Sequence, residues 1–248
     1  MTRQSTTQQK LPAARTGKSA AAKTAPKAAT KTVAKTVAKT GRRTKASAAP
    51  YHHGALQEAL LTAAERILER DGLPGLTLRA AAREAGVSHA APTHHFGDLT
   101  GLLSELAAVG FRRFRQALLA AADRQTAPGA RLDAMGSAYV AFAKTYPGMF
   151  TLMFRSERLD TARPVLAEAM DLAGAALGQA VGAQRQETIV KQAPTLQQAA
   201  RMVRAWSMVH GFAVLLLDGR LREFLAHLPP GETEATLLEA ILSPATEF

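Results

Sequence analysis

The chain has 248 residues, 47% of them hydrophobic, with no cysteine and a net charge of +11. That is enough apolar material for a sizeable core, and it excludes a disulfide framework or a thiolate zinc site, as suits a reducing cytoplasm. No uninterrupted apolar run approaches the roughly 20 residues of a membrane helix; the longest, Gly211 to Leu217, is far shorter, so no membrane partner is expected.

Residues 1–50 contain twelve Lys and Arg and no Asp or Glu. Taking twelve from 31 leaves 19 bases against all 20 acids, so the remaining 198 residues sum to −1. Low aromatic content and like-charge repulsion predict a segment that is disordered in isolation. Its repeat from Lys31 to Thr40 sets lysines four apart, which would line one helical face if an anion neutralised them. Such a tail reads as a sequence-nonspecific phosphate binder that raises the on-rate and the salt dependence of DNA binding. The plainer alternative is a solvated, solubilising extension. A transit peptide would share its composition but does not suit the domain that follows.

Tyr51-His52-His53-Gly54 forms the junction. Leu56, Leu60, Ala63, Ala64, Ile67 and Leu68 then recur at helical spacing on one face of a helix predicted to end at Asp71-Gly72. His52 and His53 stand before its N-terminus, where the dipole and free amides favour phosphate; contact with DNA backbone and simple capping are both open for them.

The stretch Thr77 to Phe96 packs two short helices and a turn into twenty positions, the footprint of a helix-turn-helix. Thr77 is expected to cap the first helix, Gly86 to end it in the left-handed region, and Ser88 to cap the second. Small Ala81, Ala82 and Ala85 permit a close crossing. The second helix has little apolar surface, which suits a DNA groove better than a core. On it, His89, Ala90 and Thr93 are placed to approach bases or sugars, and His94 and His95 to bond phosphates or base edges. Pro92 falls in or just past the first turn, where its missing amide costs little. Histidines at 89, 94 and 95 do not converge on one helix face, so no metal is expected there.

The run Ala55 to Leu103 resembles the DNA-binding domain of the TetR family of bacterial transcriptional regulators. The first helix ending at Asp71-Gly72, the block Leu78 to Ser88, and His95 to Leu103 carry the likeness. The resemblance implies phosphate contacts for Thr77 and Thr100, both at helix N-termini, and burial of Phe96. Two positions depart from the family pattern: Thr93 stands where a Tyr is usual and Leu99 where a phosphate-contacting Lys is common.

From Leu102 onward, helices alternate with Pro and Gly. A long one over roughly 100–124 carries Leu103, Leu106, Gly110, Phe114, Ala117 and Leu118 on a stripe, with Arg112, Arg113 and Arg115 near its middle. It is long enough to bridge the reading head and the region behind. Ala130 to Tyr146 is predicted as the next helix, Met149 to Arg155 as a short apolar segment, and Pro164 as the opening of a further helix. The helix after Pro194 is apolar nearly all round, which predicts burial on both sides, against its own domain and with a second subunit as the candidate cover for the other side. Together with a last helix at about 232–242 it is the expected homodimer interface, residues 195–217 and 232–242.

Pro147 to Phe154, followed by Trp206-Ser207-Met208-Val209-His210-Gly211, is similar to the C-terminal domain of the TetR subgroup with a Trp-x-x-x-His-Gly signature. Trp206 and His210 are one turn apart and share a face. Either they wall an effector pocket or they form a packed core pair. Pocket-lining candidates are Phe142, Tyr146, Phe150, Phe154, Met170, Trp206 and His210, an apolar set with few polar groups; none identifies the ligand.

These observations predict an all-α protein with a basic tail (1–50), a helix-turn-helix DNA-binding domain (51–99) and a helical effector-binding and dimerisation domain (100–248). No nucleophile elbow, phosphate-cradling loop or acid cluster points to an enzyme, and no cofactor is expected. The expected function is a cytoplasmic, nucleoid-associated repressor that binds a palindromic double-stranded operator as a homodimer and is released by a small-molecule effector. The competing expectation is a DNA-coating protein driven by the tail.

Overall fold

The computed structural model describes residues 51–154, 156–190 and 193–243, without the side chains of 51–53 and 156. The basic segment 1–50 and the contacts expected of His52 and His53 lie outside the described residues. Among the described residues ten α-helices run in chain order: α1 Tyr51–Gly75, α2 Leu78–Glu84, α3 Ala91–Phe96, α4 Leu99–Ala122, α5 Pro128–Thr145, α6 Pro147–Met153, α7 Pro164–Ala183, α8 Leu196–Leu217, α9 Arg222–Ala226 and α10 Glu234–Leu242, with a 3-10 turn at Ser156–Arg158. No strand occurs among the described residues, and one hydrophobic core runs from Leu60 to Leu238.

Sequence logic sets most of these boundaries. In α1, Leu60, Ala63, Ala64, Ile67 and Leu68 are buried, and the helix proper breaks at Gly72, whose φ of 70° only glycine adopts readily. Thr77 Oγ1 accepts from the Ala80 amide at 3.0 Å and Asp98 Oδ1 from the Gly101 amide at 2.8 Å, capping α2 and α4. Helix α5 starts two residues earlier than expected because Pro128 occupies its first turn, where φ is preset and no amide is needed. Thr195 with Gln198, and Thr233 with Thr236, form reciprocal caps that open α8 and α10.

Helices α1 and α4 lie side by side and parallel. Gln57 Nε2 donates to Glu105 Oε2 at 2.8 Å, and Arg113 is paired with Glu65, its Nη2 3.2 Å from Oε2. Both contacts join residues 48 apart, so the register is constant along two turns. Glu105 also takes Arg163 at 2.8 Å, and the fully buried Ser104 accepts from the Asp160 amide at 2.9 Å while donating to the Thr100 carbonyl at 2.7 Å. The loop before α7 is thereby stitched to the start of α4.

Helix α8 is the one described helix long and apolar enough, by length and composition, to cross a membrane. It buries Val209, Phe212 and Ala213 and pairs Arg201 with Glu187. Within the chain α8 is covered on one side, and Leu196, Val203, Trp206, Val214 and Leu215 are exposed. Helix α10 also packs within the chain. Its Leu238 is buried, its Leu242 sits against Gly136 of α5, and its Glu234 pairs with Lys144. Its apolar face is thus used inside the chain, against α5.

Glycine is required where α4 begins. A Cβ at Gly101 would overlap the Phe96 carbonyl oxygen, which is fixed backbone at the end of α3. Gly101→Ala is therefore expected to lower stability by about 1–3 kcal/mol, visible as a reduced Tm in thermal unfolding, whereas Gly129→Ala, with open space around its Cβ, should not.

Candidate DNA-reading face and aromatic cluster

The reading face is presented by a short helix anchored from beneath. Pro92 and Phe96 of α3 are buried, while His89, Ala90, Thr93 and His94 are exposed and His95 is half-buried. His94 and His95 pack edge to face at 5.4 Å, and His95 leans on Phe96 at 6.2 Å. Thr77 and Thr100 are exposed in the first turns of α2 and α4, on either side of α3 in the chain. Gly86 has φ 68°, the left-handed residue after α2.

Ser88 does not cap the recognition helix. It is exposed, and α3 begins at Ala91 with Ala90 before it and no side-chain cap. The reason is Pro92. A helix capped at Ser88 would need the residue-92 amide to donate to the Ser88 carbonyl, and proline has none. The Ala91 amide donates there instead, at 3.0 Å, closing a tight turn. Ser88, His89 and Ala90 therefore approach a partner from a turn.

Two links join the reading head to the helices behind it. Arg113, held by Glu65 of α1, lies 5.0 Å over the Tyr146 ring. Glu69, also on α1, accepts from the first free amides of α6, Met149 at 2.9 Å and Gly148 at 3.2 Å.

Behind these links is an aromatic cluster. Phe114 packs on Tyr139 at 4.9 Å and Phe142 at 5.2 Å; Phe154 packs on Phe150 and His210, both at 4.8 Å; Trp206 lies 5.7 Å from His210. Five of the candidate pocket residues, Phe142, Phe150, Phe154, Trp206 and His210, meet here. Tyr146 joins at the edge through Phe142 at 5.1 Å. Met170 stands apart, half-buried against the core from α7. Met149 and Met153 fill the α4 side, where Gly110 leaves room: a Cβ there would fall 2.7 and 2.8 Å from their sulfurs.

Sequence reasoning missed Tyr139, the polar centre of the cluster. Trp206 Nε1 donates to its hydroxyl oxygen at 3.2 Å, and that oxygen is 2.8 Å from His210 Nδ1. With indole already donating, the arrangement that leaves no buried hydroxyl proton stranded has Tyr139 donating to an unprotonated Nδ1. Burial supports it, since desolvation holds His210 below the ordinary imidazole range and pushes the Tyr139 hydroxyl well above the usual phenol range. One turn separates Trp206 from His210, which was legible; Tyr139 lies 67 residues earlier on another helix.

A short, exposed, capless recognition helix behind a glycine turn, held by a parallel helix pair, defines a helix-turn-helix DNA-binding regulator. The chain belongs to the TetR family: residues 60–106 match the family model of bacterial regulatory proteins of the tetR family, and residues 132–241 match that of the tetracyclin repressor-like C-terminal domain. A protein of unknown function from Rhodococcus sp. RHA1 is similar in structure at 36% identity, with a TM-score of 0.62, covering 78% of this chain and 94% of its own. A TetR-family transcription regulator from Shewanella sp. PV-4 shares the fold at 20% identity and TM-score 0.55, over 77% of this chain and 97% of its own. FadR from Bacillus subtilis, solved in complex with stearoyl-CoA, does so at 13% identity and TM-score 0.55, over 75% and 95%. No curated protein matches the sequence.

The depressed pKa of His210 carries a sign. Below the ordinary imidazole value the unfolded chain binds a proton that the folded chain resists, so stability falls as pH drops through that range. Acid sensitivity of Tm between pH 8 and pH 5 should therefore shrink in His210→Phe, which cannot take up the proton; an equal slope in both proteins would show that His210 is not its source.

Proposed function

We propose that this TetR-family protein is a ligand-responsive repressor that binds a palindromic operator as a homodimer. The observation that carries the DNA half is the exposed set Ser88, His89, Ala90, Thr93 and His94, mounted on buried Pro92 and Phe96. Short hydroxyl and imidazole groups on a rigid base suit contact with base edges and sugars. Thr77 and Thr100, at helix starts, suit flanking phosphates.

The dimer reading rests on α8. Leu196, Ala200, Val203, Ser207, Gly211 and Val214 follow one another on a single helix face, and Leu196 and Val203 are 83% and 56% exposed. Neighbouring Leu172 of α7 and Val190 are exposed as well. Small residues between apolar ones permit close helix approach, and so large an uncovered apolar surface is the mark of a protein interface. The interface we propose is centred on α8, with α7 beside it.

The effector reading rests on the Tyr139, Trp206 and His210 network inside an otherwise apolar cluster, a composition suited to a largely apolar ligand with one polar anchor. FadR in complex with stearoyl-CoA indicates that the fold can carry such a molecule. An effector that separates these rings would displace α4 through Phe114 and α6 through Phe150 and Phe154. Helix α1 would follow, through Arg113 and Glu69, and the two recognition helices of a dimer would change spacing. The ligand must prefer the displaced state, whatever its absolute affinity.

Selection of binding sites from a random DNA pool by the full chain at near-physiological salt should recover a palindrome with half-sites about one helical turn apart. Val203→Glu, at an exposed position, should leave helicity unchanged, turn a dimer into a monomer in sedimentation and lower operator affinity at least tenfold. A monomeric wild-type chain, or a dimeric variant, would sink the interface.

A further inference from the structure

The hydrogen bonds of the aromatic cluster have a direction. Trp206 Nε1 donates to the Tyr139 hydroxyl oxygen at 3.2 Å, and that oxygen lies 2.8 Å from His210 Nδ1. An indole nitrogen can only donate and a phenol has one proton, so the acceptor that satisfies the Tyr139 proton is a bare Nδ1. A neutral imidazole carries its single proton on the other nitrogen. His210 therefore presents Nε2–H, a donor at the end of the series. Burial favours the same neutral ring, since desolvation holds His210 below the ordinary imidazole range.

That donor is not used within the chain. Nε2 has no hydrogen-bond partner among the described residues and is not sealed from solvent. Tyr139 is buried, His210 is half-buried and Trp206 is 43% exposed, so the network is anchored in the core at its middle and accessible at both ends. The walls beside the donor are aromatic: the His210 ring has Phe154 at 4.8 Å, Phe150 at 5.6 Å and Trp206 at 5.7 Å. They bring no charge. Arg113, which reaches the edge of the cluster over Tyr146, is already held by Glu65.

An uncharged donor in an aromatic surround discriminates among ligand groups. An ammonium would set donor against donor. A carboxylate could accept the bond, but an anion brought among these rings gives up its hydration with no countercharge to replace it. It would also draw a second proton onto Nδ1, which would then need the Tyr139 oxygen and strand the Tyr139 proton. A carbonyl oxygen meets neither cost and, unlike an alcohol, brings no proton of its own to be satisfied. We infer that His210 Nε2–H is the polar anchor of the effector site, and that the effector is recognised there through an uncharged carbonyl oxygen, as in a ketone, ester or lactone, on an apolar body. The inference rests on the effector reading above and adds which way the hydrogen bond points. Tyr139 and Trp206 act in it as positioning residues that fix the tautomer.

The chain has a single tryptophan, so binding can be followed in the full chain through the one indole N–H signal in nitrogen NMR. The probes are 2-nonanone, nonanoate and 2-aminononane at pH 8, which share an apolar body and differ in the polar group. Before any probe is added, the His210 ring should show the Nε2–H tautomer. The ketone should then bind at least tenfold more tightly than either charged probe. In His210→Phe the Kd of 2-nonanone should rise about tenfold, the scale of one net hydrogen bond. His210→Gln, whose amide can accept from Tyr139 and donate outward, should recover most of that loss. An Nδ1–H tautomer, a 2-nonanone Kd unchanged in His210→Phe, or equally tight binding of a charged probe would overturn the inference and leave an apolar effector site standing. Failure of all three probes to bind, with the tautomer as expected, would strike the effector reading and the inference with it.

Discussion

The parallel pairing of α1 with α4 is the constraint on which the rest of the molecule depends. Two helices that run in the same direction must be joined by chain that returns the full length, and here the return is made by α2 and α3. The reading helix is thus fixed at one end of the pair by topology, while Gly101 lets α4 start directly under the Phe96 carbonyl. The contacts that hold the register are polar, at Glu105 and Glu65, and half-buried, so they set alignment more than they add stability. Stability comes from the apolar stripe between them, Leu60 to Leu68 against Leu102 to Leu118.

The same pairing makes α4 common to both halves of the chain. Its start is bound to the α3 end and to the loop before α7 through Ser104 and Glu105; its middle carries Phe111 and Phe114 into the aromatic cluster. No linker absorbs a displacement at either end. Close-packed interiors do not deform continuously, so under the proposed effector reading a change in the ring cluster would be passed on as a shift of whole helices. Glu69 adds a second route, since it ties α1 to α6 independently of α4.

Most of the head was legible in the sequence because its signals are local. Thr77, Gly86 and the Asp71-Gly72 end each act within four residues, and the 3.6-residue stripe of α1 needs only one helix. The misplaced Ser88 cap has a local cause too, but it required weighing a good capping residue against the missing amide four positions later. What stayed hidden depends on distant partners. Tyr139 reads as one more apolar-stripe residue until α8 places Trp206 and His210 over it, and α10 looks like any amphipathic helix until α5 takes its face. Periodicity says that a face is apolar, not which neighbour covers it.

Helix α8 shows the same limit in reverse. An apolar circumference is compatible with burial on all sides, with a lipid environment, or with one face left for another subunit. Val209, Phe212 and Ala213 account for one face within the chain. The opposite face alternates Leu196, Val203 and Val214 with Ala200, Ser207 and Gly211, small enough in the gaps to admit a second helix at short range. Arg204 at its margin and Arg201 paired with Glu187 on its flank suit a wet rim better than a hydrocarbon one.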